Sequence, residues 1–315
     1  MKIVFLDAET VGTLPQLDDL HSLGKVTLYP FTPSGQILSR IHDADIVLTN
    51  KVVLDRRILE NAPQLKLICV TATGMNNVDV AFAEQRGILV RNAVGYAVES
   101  VAQHTFALLL TLLEQLSYYD RYVKSGEYSR SESFTHLGRE FGLLRHKQFG
   151  IIGLGNIGRG VARIAEAFDM RVVYYSASGS QRPEKYPRVS WENLLATSDV
   201  ISIHAPLTDQ TRHLIDYAAL QQMKPTAVLL NTGRGGIVEE TDLARALNES
   251  LIAGAGLDVF AQEPIAADNP LLHVQQPHKL LLTPHIAWTA RETRAHLMAI
   301  VIDHIRHFIH DAQAQ

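Results

Sequence analysis

The chain has 315 residues, 46% of them hydrophobic and 20% charged, with a formal net charge of −4. These figures exclude wholesale disorder, a collagen-like repeat and a coiled-coil rod. The weak negative charge, spread along the chain, gives no electrostatic footprint for nucleic acid or an anionic membrane, and neither partner is expected.

The length fits two domains or one large α/β unit. The N-terminal apolar run meets Asp7 at once, too early for a signal-peptide core, and reads as a first buried strand. Further strands are expected over 46–49, 67–70 and 88–90, after the first over 3–6. Helical segments lie between them, such as 55–61, which Pro63 closes. The single cysteine, Cys69, sits inside the third of these runs and reads as a buried, inert thiol; one cysteine excludes an intrachain disulfide framework. A long helix follows over about 98–125. Its middle is apolar on nearly every face, so it must be covered on all sides, which places it in a domain or subunit interface. Its most apolar part, 106–113, falls well short of the ~20 residues that span a bilayer, and a cytoplasmic location is expected by default. A fresh series begins at Phe149, with strands over 150–153, 171–175, 200–204, 228–231, 253–257 and 280–283. A loop covers 176–188, and a last helix covers about 289–310. Strands alternating with helical segments predict parallel sheets with crossover helices.

The sharpest local motif is Gly153-Leu154-Gly155-Asn156-Ile157-Gly158, between an apolar strand and an amphipathic helix pattern. Gly153 permits the tight turn, Gly155 lets a pyrophosphate approach the backbone, and Gly158 lets helix and strand pack closely. The helix N-terminus, opening at Asn156 and Ile157, offers N–H groups and a positive dipole end to the anion. The second half of such a fingerprint is an acidic residue after the next strand, which binds the adenosine ribose. Here Ser176 stands there, followed by Ala177 and Ser178. Without a carboxylate the 2′-phosphate of NADP is not repelled, so NADPH is expected to be accepted beside NADH. A serine bonding both ribose hydroxyls of NAD is the equal alternative.

Three more segments follow apolar strands and so lie outside the carboxyl ends of a parallel sheet, where ligands bind. They are Asn231-Thr232-Gly233-Arg234-Gly235-Gly236, then Gly256 through Glu263-Pro264, then Thr283-Pro284-His285. In this order, and with His204-Ala205-Pro206-Leu207-Thr208 and the stretch Ala72-Thr73-Gly74 to Val78-Asp79, they resemble the D-isomer-specific 2-hydroxyacid dehydrogenase family over essentially the whole chain. Residues 72–79 and 126–131 most resemble its glycerate dehydrogenase (hydroxypyruvate reductase) branch. The main departure is Ser176, where NAD-specific members carry Asp.

Reducing a 2-oxo acid needs a hydride donor, a proton donor and a cationic anchor. Nicotinamide supplies the hydride. Arg234 offers a planar fork for the carboxylate and carbonyl oxygen. His285 is the expected proton donor in reduction and base in oxidation, with Glu263 on its far nitrogen fixing its orientation. The resemblance further implies that the Thr73 and Gly74 N–H groups bind the substrate carboxylate. It also implies that Asp258 and Thr232 contact the nicotinamide end, and that His204 and Pro206 line the cofactor groove. Asn50, Met75, Tyr96 and Trp288 are expected to bear on substrate choice. His296, His304, His307 and His310 have helical spacing on the last helix but read as a solvated face; no metal site is expected.

The architecture implied is α/β, two Rossmann-like domains with the active site in the cleft between them. A discontinuous substrate domain would comprise 1–98 and 288–315, and a nucleotide domain 99–287. The apolar helix and the arm to about Phe149 would form a homodimer interface. The activity implied is reversible NAD(P)-dependent hydride transfer on a small 2-oxo or 2-hydroxy acid, hydroxypyruvate/D-glycerate or glyoxylate/glycolate. The rivals are a non-catalytic dinucleotide sensor on the same fold, and a dehydrogenase for a bulkier 2-oxo acid or phosphite.

Overall fold

The computed structural model describes residues 1–179 and 182–314; residues 180 and 181 of the expected 176–188 loop lie outside the described residues. The chain falls into two compact units, Met1–Ala97 with Trp288–Gln315, and Val98–Ala287. Each is an α/β unit on a parallel sheet.

The first unit carries β1 (Lys2–Phe5), β2 (Lys25–Leu28), β3 (Ile46–Thr49), β4 (Leu67–Val70) and β5 (Leu89–Asn92), in the order β2-β1-β3-β4-β5. Strands β3 and β4 are buried along their whole length, so they read as unbroken apolar runs. Edge strand β2 has no counterpart among the expected strands: Lys25-Val26-Thr27-Leu28 is half-exposed and offers no such run. Four short helices connect the strands: α1 (Gln16–Asp19), α2 (Ile37–Ile41), α3 (Arg56–Glu60) and α4 (Val80–Gln85). Asp55 and Asp79 cap the last two by accepting from the Ile58 and Phe82 N–H groups. The C-terminal helix Arg291–Ala314 packs on β4 and β5 of this unit.

The second unit opens with α5 (Val98–Leu113) and α6 (Leu116–Lys124). The single helix expected over 98–125 therefore breaks, at Gln115, whose backbone is left-handed (φ 52). The sheet contains β6 (Gln148–Ile152), β7 (Arg171–Tyr175), β8 (Val200–Ile203), β9 (Val228–Asn231), β10 (Gly254–Leu257) and β11 (Leu280–Leu282). Its order is β11-β10-β9-β8-β6-β7, parallel throughout. The chain leaves β6 toward β7 on one side and returns to β8 on the other, so the strand order reverses between β6 and β8. Helix α7 (Asn156–Ala167) joins β6 to β7; α8 (Trp191–Thr197), α9 (Tyr217–Gln222) and α10 (Glu240–Asn248) follow. One face of the sheet is sealed by α5 and α7 around Phe106, Leu109, Phe149 and Val161, the other by α8 to α10 around Leu194, Leu220 and Leu243. Helix α5 packs on α7, β9, β10 and β11 of its own unit. Its remaining face keeps Ala107 exposed and Leu110 and Leu113 half-buried. Between α6 and β6 the chain has only one short 3-10 turn, Tyr128–Arg130, and exposes Phe134, Leu137, Phe141 and Leu143.

Candidate active site

All the singled-out residues of the second unit lie at the carboxyl edge of its sheet, in strand order. Ser176 follows β7, the glycine loop follows β6, and His204 and Pro206 follow β8. Thr232 and Arg234 follow β9, Asp258 and Glu263 follow β10, and His285 follows β11.

The glycine loop has the geometry of a phosphate cradle. Gly153 is left-handed (φ 91), and a Cβ there would stand 2.8 Å from the backbone of Ala205. A Cβ on Gly158 would stand 2.5 Å from the Gly153 carbonyl oxygen, whereas one on Gly155 would meet nothing within 4 Å. The first and third glycines are therefore required by the protein's own packing. The second leaves open space in front of the first turn of α7, whose N-cap is Gly155 with no side-chain cap. Asn156 is exposed and Ile157 half-buried at that turn. The residues present fit a dinucleotide pyrophosphate. An adjoining cavity of about 280 Å³ is lined by Gly155, Ser176, Ser178, Arg182, Glu184 and Pro206. Residues 176–178 carry no carboxylate, and Glu184, from farther along the same loop, is the acidic residue among those lining this cavity. Arg159, on α7, grips Glu184 through two nitrogens at 2.6 and 3.2 Å and holds its carboxyl below the ordinary range.

The ring of His204 is desolvated although part of the residue's surface stays accessible. Its Nε2 lies 2.8 Å from Ser202 Oγ, and its Nδ1 lies 3.5 Å from Thr232 Oγ1. Burial pushes its pKa down to about 3, so the imidazole is neutral at physiological pH. Thr232 Oγ1 also meets Thr105 Oγ1 of α5 at 3.1 Å.

His285, Glu263 and Arg234 come from neighbouring strand ends. Glu263 Oε2 lies 2.6 Å from His285 Nδ1, while its Oε1 accepts from the Phe260 N–H at 3.1 Å, so the carboxylate is braced by its own turn. The Arg234 loop is stapled by Asn231, which donates to the Arg234 carbonyl and accepts from the Gly233 N–H. It lies hard against the Glu263 turn: a Cβ on Gly235 would fall 1.9 Å from the Phe260 carbonyl carbon. Arg234 itself is exposed, and its Nη1 donates to the Gly233 carbonyl.

The side chain of Asp258 is turned inward. It is fully buried and accepts from Thr283 Oγ1 at 2.6 Å and from the Ile286 and Ala287 N–H groups at 2.8 Å each. Burial pushes its carboxyl upward, but hydrogen bonds from His104, Thr283 and those two amides outweigh it and hold the group below its ordinary value. The contacts it makes are to the turn that carries His285.

In the first unit, Thr73 and Gly74 follow β4. Neither N–H donates to an acceptor among the described residues. Asn92 Nδ2 donates to the Thr73 carbonyl at 2.6 Å. In a trans peptide the N–H opposes the C=O, so this bond aims the Gly74 N–H away from Asn92. Asn50 is buried, with its N–H held by the Asp7 carboxylate at 2.9 Å, and its Nδ2 has no partner among the described residues. Tyr96 and Trp288 meet edge to face, with centroids 6.4 Å apart. Among the described residues no His, Cys, Asp or Glu group is arranged for a metal; His304 Nε2 lies 3.1 Å from the Asn92 carbonyl oxygen. No helix among them is long and apolar enough to cross a membrane.

Comparison with known proteins decides the family. Residues 106–287 match the model of the D-isomer specific 2-hydroxyacid dehydrogenase NAD binding domain. The chain belongs to the D-isomer-specific 2-hydroxyacid dehydrogenase family. A hydroxypyruvate reductase of Blautia hydrogenotrophica is 36% identical over 98% of this chain and 97% of its own. A glyoxylate reductase of Aeropyrum pernix is 39% identical over 88% of this chain and 83% of its own. The crystal structure of an NADPH-dependent glyoxylate/hydroxypyruvate reductase from Sinorhizobium meliloti, in complex with NADP and malonate, superposes with a TM-score of 0.84. It is 26% identical and covers 98% of this chain and 93% of that one. As a member of this family the protein is an enzyme, an NAD(P)-dependent 2-hydroxyacid dehydrogenase.

Within this dehydrogenase, sequence reasoning missed Asn92, Glu184, and Ser100, His104 and Thr105 of α5. Asn92 and Glu184 carry no motif and act only through distant partners. Ser100 and His104 of α5 are spaced i and i+4, but so are Glu99 and Gln103 on the exposed side, so only burial tells the two pairs apart.

Proposed function

We propose that this dehydrogenase reduces small 2-oxo acids, hydroxypyruvate and glyoxylate foremost, with His285 as proton donor. The observation that carries the reading is the 2.6 Å contact between His285 Nδ1 and Glu263, one strand away from the Arg234 loop. Glu263 accepts from Nδ1–H, which leaves Nε2 to give a proton to the substrate oxygen in reduction and to take it back in oxidation. Arg234 needs only to release the Gly233 carbonyl to hold a carboxylate and polarise the neighbouring carbonyl. The Thr73 and Gly74 N–H groups bind the same carboxylate, and Asn50, Met75, Tyr96 and Trp288 bear on the choice of acid. The reduced nicotinamide, when bound, supplies the hydride.

The pyrophosphate sits on Gly153, Gly155, Asn156, Ile157 and Gly158, with Ser176 at the ribose and His204, Pro206 and Thr232 along the groove; buried Asp258, expected at the nicotinamide end, instead serves the turn that carries His285. NADPH is accepted beside NADH: Ser176 adds no charge and Arg159 neutralises Glu184. The relative from Sinorhizobium meliloti, described as NADPH-dependent and bound to NADP, supports this reading. The enzyme works as a homodimer, joined through the apolar arm around Phe134 and Leu143.

A panel of 2-oxo acids assayed with NADH and NADPH tests the proposal. Turnover of hydroxypyruvate and glyoxylate, with little on phenylpyruvate, is expected. His285→Ala should lower kcat by about a hundredfold or more while NAD(P)H binding survives. Glu263→Gln keeps an acceptor for Nδ1–H but removes the carboxylate that orients the ring, so kcat should fall while NAD(P)H binding survives. An unchanged kcat removes Glu263 from this role.

A further inference from the structure

The ridge Ser100-His104-Leu108-Leu112 of α5 follows β10 from its start to beyond its end. A Cβ on Gly254 would stand 3.8 Å from Leu112 Cδ2, and one on Gly256 3.1 Å from Leu108 Cβ. Four residues back, His104 Nε2 lies 3.0 Å from Thr283 Oγ1 and 3.5 Å from Asp258 Oδ1. Four further back, Ser100 Oγ donates to the Ala287 carbonyl at 2.6 Å. The match is geometric: four helical residues rise about 6 Å and two strand residues about 6.6 Å. The ridge is apolar where it crosses the sheet and polar where β10 becomes the Asp258 turn.

That turn carries a constrained residue. His285 has left-handed backbone (φ 56), which a residue other than glycine keeps only when its surroundings over-determine it. The Asp258 carbonyl accepts from the His285 N–H at 2.8 Å, and the Asp258 carboxylate accepts from the next two amides. Thr283 gives its hydroxyl proton to Asp258 Oδ1, and a carboxylate has no proton to offer, so Nε2 of His104 carries the proton that faces both.

We infer that His104 is a positioning residue for His285: its Nε2–H holds the Thr283 hydroxyl and the Asp258 carboxylate, which hold the Ile286 and Ala287 amides and so fix the backbone that aims the imidazole. This rests on the reading of His285 as proton donor. Without His104 the buried carboxylate loses a donor and turns toward others, and the histidine turn moves with it.

The test compares His104→Leu with His104→Gln, whose amide nitrogen reaches the same two acceptors; His104→Asn, too short to reach, replaces the leucine variant if that is insoluble. Steady-state kinetics are measured with hydroxypyruvate and glyoxylate, NAD(P)H affinity by fluorescence, and folding by melting temperature. The leucine variant should lose about tenfold or more in kcat with KM and NAD(P)H affinity within about twofold, and the glutamine variant should regain most of kcat. Wild-type kcat in the leucine variant, equal losses in both variants, or a loss confined to cofactor affinity would overturn the inference. His285→Ala is run alongside. If it keeps full activity the proton-donor reading fails; if it is inactive and His104→Leu is unaffected, only the present inference fails.

Discussion

At the scale of single residues, charge and proton placement decide what the site does. Neutral His204 illustrates the linkage to stability. Its folded pKa of about 3 lies below its ordinary 6.5, so between those values the unfolded chain binds a proton that the folded chain refuses. The stability this contributes is complete above pH 6.5 and drains away as pH falls toward 3. Replacing it by Gln should flatten that loss; denaturant midpoints measured from pH 7 down to pH 4 for both proteins check it, and parallel slopes would contradict it. Glu184 tests the proposed cofactor reading. Glu184→Gln removes a negative charge from the cavity wall and frees Arg159. The affinity ratio of NADPH to NADH should then rise about fivefold, as read by titration calorimetry. No change in the ratio would place the 2′-position elsewhere.

At the scale of elements, strand ends and glycines bring the catalytic loops together. Gly235 lets the loop after β9 touch the turn after β10, which in turn braces Glu263 against His285. In Gly235→Ala the methyl would overlap the Phe260 carbonyl group, a backbone atom that cannot swing aside. We expect a stability loss of at least about 2 kcal/mol and displacement of Arg234. Melting temperature together with KM for hydroxypyruvate tests this; an unaltered KM in a folded variant would separate the two loops functionally. Strand and helix positions were largely legible in the sequence. Strands over 46–49, 67–70, 171–175 and 228–231 fall where apolar runs placed them, because a strand packed in a parallel sheet with helices on its faces buries nearly every side chain along its middle. Half-exposed β2 and the break of the long helix at Gln115 were not legible, since neither changes the apolar pattern that periodicity reads.

For the molecule as a whole, the proposed homodimer rests on the arm between α6 and β6. Phe134 is 90% exposed, Leu137 79% and Leu143 77% in one arm, where the proposed homodimer would bury them. Phe134→Asp with Leu143→Glu should shift the sedimenting species from about twice 35.0 kDa to a single chain. A double variant that stays dimeric would move the interface to another surface.

The sequence alone determined the two α/β series, the glycine cradle and the order of strand-end motifs, because these depend on local backbone needs and on hydrophobic period. It also brought Arg234, Glu263 and His285 to one edge of one sheet, since every parallel strand must present its carboxyl end there. Only the tertiary structure decided what surrounds them. Asp258 faces inward to the His285 turn, Glu184 lines the cavity beside the glycine loop, and α5 brings Ser100 and His104 against the Asp258 and His285 turns; separately, within the first unit, Asn92 orients the Gly74 amide. Each of these is a contact between residues far apart in the chain, set by packing geometry that leaves no periodic mark in the sequence.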